Sequence, residues 1–419
     1  MSKNNEIKLV PILRFSEFKN GGVWKVKPLG EVLIKNSTKN KDQKYSLVES
    51  VSNKFGFIKQ DEYFDNRIIA SKDTSNYYVI NRGYFAYNPS RIDIGSLAYK
   101  SDDNTSIISP LYVSFKANNS VIDDIFLLNY FKSNEFSKQM IFEGGVRNTL
   151  NYDNLSQIKV PITQLDEQRK IAACLSSLDE VITAESQKLE VLKEHKKGLL
   201  QNLFSKEGET VPKLRFKEFE NSGEWVEKKL GEISENVMYG MNSASKDFDG
   251  ENKYLRITDI DENTRLFLQD SVTSPDGILE EKYLLKIGDV VFARTGASVG
   301  KSYLHQKGND KVYFAGFLIR FSIKNEIPYF IYAQTLTEKY KKWVSKTSLR
   351  SGQPGINAEE YKSYSFFVPP SLQEQQKIAS CLSSLDDLIR LQAERIEQLQ
   401  LHKKGLLQGL FPNLNEVTE

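Results

Sequence analysis

The feature that most constrains this chain is that it is written twice. The string PILRFSEFKNGGVWKVKPLGEV from Pro11 recurs 201 residues later as PKLRFKEFENSGEWVEKKLGEI from Pro212, repeating Pro11, Leu13, Arg14, Phe15, Glu17, Phe18, Trp24, Leu29, Gly30 and Glu31 without change. A longer match sets LDEQRKIAACLSSLDEVITAESQKLEVLKEHKKGLLQNLF from Leu165 against LQEQQKIASCLSSLDDLIRLQAERIEQLQLHKKGLLQGLF from Leu372, without a gap, at a spacing of 207. Self-similarity on this scale specifies one structural plan built twice. Between these anchors the copies diverge, yet Gly83 and Gly95 match Gly288 and Gly300, and Leu150-Asn151 matches Ile356-Asn357. Glycines kept while their neighbours change point to turns that need a backbone free of Cβ.

Each 40-residue match reads as one long helix. Ile171, Leu178, Leu192 and Leu199 recur at seven residues or twice seven, interleaved with Leu175, Ile182, Leu189 and Leu203. The second copy repeats the seam with Ile378, Leu385, Leu399 and Leu406 beside Leu382, Ile389, Ile396 and Leu410. Steps that alternate four and three make a coiled-coil seam. Polar residues interrupt it at matching places, Glu185 with Gln392 and Lys196 with Lys403. Thr163 with Asp166, and Ser371 with Glu374, have capping-box spacing, and Gly208 and Pro412 lie beyond the helix ends. At 1.5 Å per residue each helix is about 60 Å long, too long to fold back inside a small domain. The natural partner of each is the other, antiparallel, about a two-fold axis that also relates the globular parts preceding them.

A chain of 419 residues is long enough for two or three domains. Lysine and arginine number 57 against 55 aspartates and glutamates, a net charge of +2. A chain that gripped nucleic acid alone through many phosphates would be more basic, which points to partners. Cys174 and Cys381 occupy equivalent places inside apolar helical patterns and read as small core residues of a reducing compartment. The start, MSKNNEIKLV, carries no apolar leader, and no stretch approaches the roughly 20 apolar residues of a membrane span. A cytoplasmic location and no membrane partner are expected.

The chain resembles the specificity subunit of type I restriction-modification systems over essentially its whole length. The resemblance rests on the openings PILRFSEF and PKLRFKEF leading to Trp24 and Trp225, the helix signatures EQRKIAACLSSLDEVI and EQQKIASCLSSLDDLI, and the tails HKKGLLQNLF and HKKGLLQGLF. The loop VFARTGASVGK of copy two is also similar. It implies an α+β fold: two pseudo-two-fold-related globular α/β target-recognition domains separated by two long antiparallel coiled-coil helices. The segments implied are a recognition domain at 1–161, a spacer helix at 162–206, a second domain at 207–369, a second spacer helix at 370–411 and a tail at 412–419. Each domain would read one half of an asymmetric, interrupted target in double-stranded DNA, with half-sites about 34 Å apart. Two modification (methyltransferase) subunits and restriction (endonuclease and translocase) subunits would be partners. S-adenosylmethionine, ATP and Mg would sit on those partners, and no cofactor on this chain.

A subunit that only reads carries no catalytic constellation. In TGASVGKS, Thr295 to Ser302, three residues separate Gly296 from Gly300 where a phosphate-binding loop needs four. Neither Val368-Pro369-Pro370-Ser371 nor Asn88-Pro89-Ser90 is the Asn/Asp-Pro-Pro-aromatic string of an amino-methyltransferase. His195, His305 and His402 have no ligands at metal spacing and read as solvent-exposed residues, two of them near helix ends. Readout of bases needs forked donors and amides, and phosphates take lysines, hydroxyls and backbone amides. The candidates in copy one are Tyr87, Asn88, Ser90 and Arg91, then Arg147, Asn148 and Asn151. In copy two they are Arg294, Thr295, Ser298 and Lys301, then Arg350, Ser351, Gln353 and Asn357, with Lys342 and Lys346 of the lysine-rich stretch from Lys339 facing phosphate. A free-standing DNA-binding regulator and an enzyme with unfamiliar motifs are the rival readings. Docking of a methyltransferase on the outer helix faces, around Arg169, Glu180, Gln376 and Asp387, would separate the first of these from a specificity subunit.

Overall fold

The structure, a computed structural model, describes residues 9–53, 55–60, 73–92, 95–140, 149–306, 308, 310–350 and 352–414. The chain divides into two compact units, Met1–Ser186 with Arg395–Glu419, and Gln187–Glu394.

In the first unit, strand Lys25–Pro28 pairs antiparallel with Lys159–Ile162 and so ties the two ends of the globular part together. Between them lies an antiparallel sheet in the order Leu33–Lys35, Val113–Ala117, Tyr84–Tyr87, Leu97–Tyr99. Three short helices follow: α1 (Asp124–Phe131), α2 (Asn134–Gln139) and α3 (Tyr152–Gln157). Each begins where a short polar side chain, of Asp123, Ser133 or Asn151, accepts a backbone N–H left unpaired by the first turn. The long helix α4 (Leu165–Asn202) comes next.

The second unit repeats the plan. Val226–Lys229 pairs with Ser365–Val368, and the sheet runs in the order Ser234–Tyr239, Leu318–Ile323, Asp289–Ala293, Ser302–Leu304. Its helices are α5 (Pro328–Gln334), α6 (Glu338–Thr347), α7 (Ala358–Lys362) and the long α8 (Leu372–Leu410). The strands tolerate divergent sequence because what recurs is the buried apolar character of the central strand, YFAY in one unit and DVVFA in the other. The four glycines kept between the copies, Gly83, Gly95, Gly288 and Gly300, all have positive φ, between 84° and 94°.

Each core is completed by the tail of the other copy's helix. Phe411, just beyond α8, packs on Phe126 at 5.0 Å, with Trp24 5.9 Å from the same ring. In the second unit Phe204, just beyond α4, packs on Phe330 at 5.3 Å, with Trp225 at 5.6 Å. The backbone agrees: Leu13 N–H donates to the Gly409 carbonyl at 2.8 Å, and Leu214 N–H to the Asn202 carbonyl at 2.8 Å.

The long helices pair within each unit. In the first, Lys403 meets Asp179 at 2.5 Å and Arg395 meets Glu185 at 2.9 Å, so positions rise along α4 as they fall along α8 and the segments run antiparallel. In the second, Lys196 meets Asp386, which also accepts the Tyr329 hydroxyl. The lysines that interrupt the seam are thus answered by aspartates on the facing helix, at repeat-equivalent places. Ile171, Leu175, Ile378, Leu382, Leu385 and Ile396 are buried, while Leu178, Ile182, Leu189, Leu192, Ile389 and Leu399 are half-buried. Two helices alone cannot enclose a seam, so burial is deepest where a globular core covers it.

Several local expectations are corrected. Glu374 does not close a capping box, because its carboxylate is taken by Arg215, and Asp166 is exposed, with Arg169 3.6 Å away. Cys174 and Cys381 are free and half-buried rather than core. His305 is buried, not exposed, because it follows strand Ser302–Leu304 into the sheet, where its Nδ1 lies 3.2 Å from the Tyr303 hydroxyl. Among the described residues no helix is long and apolar enough to cross a membrane, and no three His, Cys, Asp or Glu side chains gather as a metal-holding group.

Candidate nucleic-acid interface

In the second unit, strands Ser234–Tyr239 and Asp289–Ala293 end, and strand Leu318–Ile323 begins, at one end of the sheet. The segment from Pro354 to Ile356 is laced to that end: Gly296 N–H donates to the Pro354 carbonyl at 3.0 Å and Ile356 N–H to the Arg294 carbonyl at 2.9 Å. The result is an open concavity of about 350 Å³ lined by Tyr239, Arg294, Thr295, Arg350, Gln353, Asn357 and Glu360. The Arg294 guanidinium lies over the Tyr239 ring, 4.9 Å from its centroid, a stacking that orients its fork of donors. Arg350 pairs with Glu360 and donates to the carbonyls of Thr347 and Leu349 at 2.8 and 3.0 Å. Gln353 is exposed. Forked cations and a free amide at a rigid sheet end can hydrogen-bond base edges.

Of the second-copy candidates, Arg294, Thr295, Arg350, Gln353 and Asn357 are therefore brought together. Asn357 has a structural task as well, capping α7 by accepting the Glu360 N–H at 2.9 Å. Ser298 is half-buried in a short 3-10 turn, Gly296–Ser298. Lys301 is buried, its ammonium 2.5 Å from Glu262 and 3.2 Å from the Ile260 carbonyl, and so is spent inside the unit. Lys342 and Lys346 are exposed on α6, outside the concavity's lining, whereas Lys339 lies over the Phe367 ring, where burial pulls its pKa down. Ser351 lies outside the described residues, as do Arg147 and Asn148.

In the first unit Tyr87 is buried, its hydroxyl donating to the Leu150 carbonyl at 3.0 Å, and burial raises its pKa. Asn151 caps α3. Asn88 is half-buried and accepts the Ser90 N–H at 3.0 Å, which leaves Ser90 and Arg91 as the exposed candidates of that loop. Leu150 N–H donates to the Pro89 carbonyl as Ile356 N–H does to Arg294, so Pro89 stands where the second unit has its arginine. Tyr239 escaped sequence reading, since nothing marks a strand-end tyrosine. Glu360 was legible in principle as the partner of Asn357 at capping-box spacing.

Two copies of one α+β unit, each followed by a long helix that contributes to both cores, define a duplicated protein whose halves share a skeleton and differ at the sheet ends. The chain belongs to the family described as the type I restriction modification DNA specificity domain, whose model matches residues 21–194 and again 222–401. It is 26% identical over 317 residues to the type I restriction enzyme MjaVIII specificity subunit of Methanocaldococcus jannaschii, covering 73% of each chain. Its fold is similar to that of a type I restriction-modification system S subunit from M. genitalium, with TM-score 0.59 and 15% identity over 97% of this chain and all of that one. It also matches a chain from a structure of complex assembly and conformational transition of the type I R-M system, with TM-score 0.55 and 17% identity over 93% and 98% of the two chains.

Proposed function

We propose that this chain is the non-catalytic reader of a type I restriction-modification complex, in which each unit reads one half of a bipartite, asymmetric DNA target. The observation that carries this is the contrast between the units: the same sheet order and the same positive-φ glycines, but Pro89 where the other has Arg294. Equal backbones with unequal donors suit two readers of unlike half-sites. Helices α4 and α8, which contribute to both units, set the separation of those half-sites, and their exposed faces dock two modification subunits. S-adenosylmethionine, ATP and Mg belong to the partners. Arg294 and Gln353 address base edges, while Lys342 and Lys346 address phosphate.

Methylome sequencing of cells that carry this chain with its partner methyltransferase tests the reading. A single interrupted adenine-methylated motif is expected, and exchange of residues 24–160 for those of another family member should alter only one of its halves. An unaltered motif after the exchange overturns the modular assignment. Specific DNA binding by a chain that recruits no methyltransferase would favour a free-standing regulator.

A further inference from the structure

Both units hold a large apolar side chain out into water at the same place. The sheet registers set Ala86 opposite Ser114 and Val291 opposite Arg320, an alignment that carries Leu111 onto Phe317. Leu111 is 81% exposed and Phe317 61%. Each is the third residue of a four-residue turn closed by a backbone hydrogen bond, Tyr112 N–H to the Ser109 carbonyl at 3.1 Å and Leu318 N–H to the Ala315 carbonyl at 2.9 Å. The turns read SPLY and AGFL, so the two copies share the apolar character and not the residue. One exposed apolar side chain is ordinary, but recurrence at equivalent tips of both copies points to a surface that covers them.

The tips are rigid. In the second unit Gly316 N–H donates to the Met241 carbonyl at 2.7 Å, Met241 N–H to the Phe314 carbonyl at 2.8 Å, and Arg294 N–H to the Phe317 carbonyl at 3.0 Å. A Cβ on Gly240 would lie 2.3 Å from the carbonyl oxygens of Phe314 and Ala315, so the backbones touch there. In the first unit Pro110 fixes its own φ and the Ser109 hydroxyl accepts Leu111 N–H at 3.3 Å. Phe317 is thereby fixed beside Arg294, at the margin of the concavity.

We propose that Leu111 and Phe317 are wedges, each of which parts one base step in its own half of a DNA target. The proposal rests on the DNA-reading function above. An apolar tip suits duplex DNA, where the faces of unstacked bases take the side chain, and in the second unit the neighbouring Arg294 addresses an adjacent base edge, whereas Pro89 occupies that place beside Leu111. A tip already locked in place loses little conformational freedom on insertion.

The test uses the full chain with its methyltransferase partner and duplexes carrying the methylated motif, with 2-aminopurine placed at successive steps of each half. Wild-type complex should brighten the probe at one step per half. Leu111→Ala should abolish the signal in one half only and Phe317→Ala in the other only, each weakening binding about tenfold, while Phe317→Trp retains it. Both side chains face solvent, so these variants leave the cores intact. Specific binding with no brightening at any step overturns the wedge alone. Loss of affinity matched by replacing thymine with uracil, without brightening, assigns a methyl contact and also overturns it. Failure of the wild-type complex to bind any sequence specifically overturns the DNA reading and the wedge together.

Discussion

The guanidinium of Arg14 grips both carboxylate oxygens of Glu167, at 2.7 and 2.8 Å, with the two side chains only 6% and 1% exposed. Arg215 grips Glu374 at the same two distances, and each arginine also donates to a glycine carbonyl at 2.7 Å, of Gly22 or Gly223. This clasp fastens the start of each copy to the first turn of its long helix. Forked geometry explains why arginine stands at both places, since lysine could not bridge two oxygens at once. A third donor reaches each glutamate from a different side chain, the Thr163 hydroxyl on Glu167 and the Trp225 indole on Glu374 at 3.3 Å.

Arg14→Ala should destabilise the first unit by about 3–5 kcal/mol, because it strands a buried carboxylate. Hydrogen exchange resolves this by unit: amides around Trp24 and α1 should lose protection while those around Trp225 and α5 keep theirs. The double change Arg14→Met with Glu167→Leu should recover much of the loss. Equal loss in both units would contradict a local clasp.

Arg294→Ala should weaken binding to one half-site by about 1–3 kcal/mol, the scale of one bidentate base contact, and leave the other half untouched. Competition between duplexes altered in one half at a time measures it. A uniform loss across all duplexes would mean that Arg294 only neutralises phosphate.

Gly240→Ala should be far more damaging than an ordinary surface change, because the added methyl would stand 2.3 Å from two carbonyl oxygens. Overpacking of this kind costs about 1–3 kcal/mol or more. Thermal unfolding of the full chain should show an earlier transition for the second unit alone.

His305 is held neutral by burial, which lowers its pKa from 6.5 despite the opposing pull of Asp289 and Asp310. The unfolded chain therefore takes up a proton that the folded one refuses, so stability is lost as pH falls below about 6.5, until the depressed folded value is reached. His305→Gln should flatten that part of the acid limb in denaturant titrations. An unchanged slope would show that other groups set it.

Ile396 is buried in the helix pair of the first unit, and Ile396→Ala should cost about 2 kcal/mol or more. Lys403→Ala, at a pair whose aspartate is about half exposed, should cost under about 1 kcal/mol. Urea midpoints for the two variants check the order.

The duplication, the two long helices and their seam were legible because period and repetition are written along the chain. The clasp was not: Arg14 and Glu167 recur in both copies, but nothing in a linear string says that residues 153 positions apart meet. The candidate site was legible in its loops and not in its details. Tyr87 and Lys301 have the chemistry of readers and are consumed inside the units, because burial depends on strand order, which the divergent middle of each copy does not disclose. Asn151 and Asn357 cap helices, a task for which the same amide is suited. Leu111 and Phe317 are not legible, because an apolar residue between strands reads as core until the register is known.

Phe411 lies among the aromatic residues that follow Trp24, and Phe204 among those that follow Trp225. Neither half can be finished from its own material. A polypeptide carrying one copy alone would present an open socket and a loose plug, and would have to borrow from a sibling molecule what the full-length chain supplies to itself. Tips and loops are thus free to vary one half at a time, while the exchange of plugs obliges the halves to persist together.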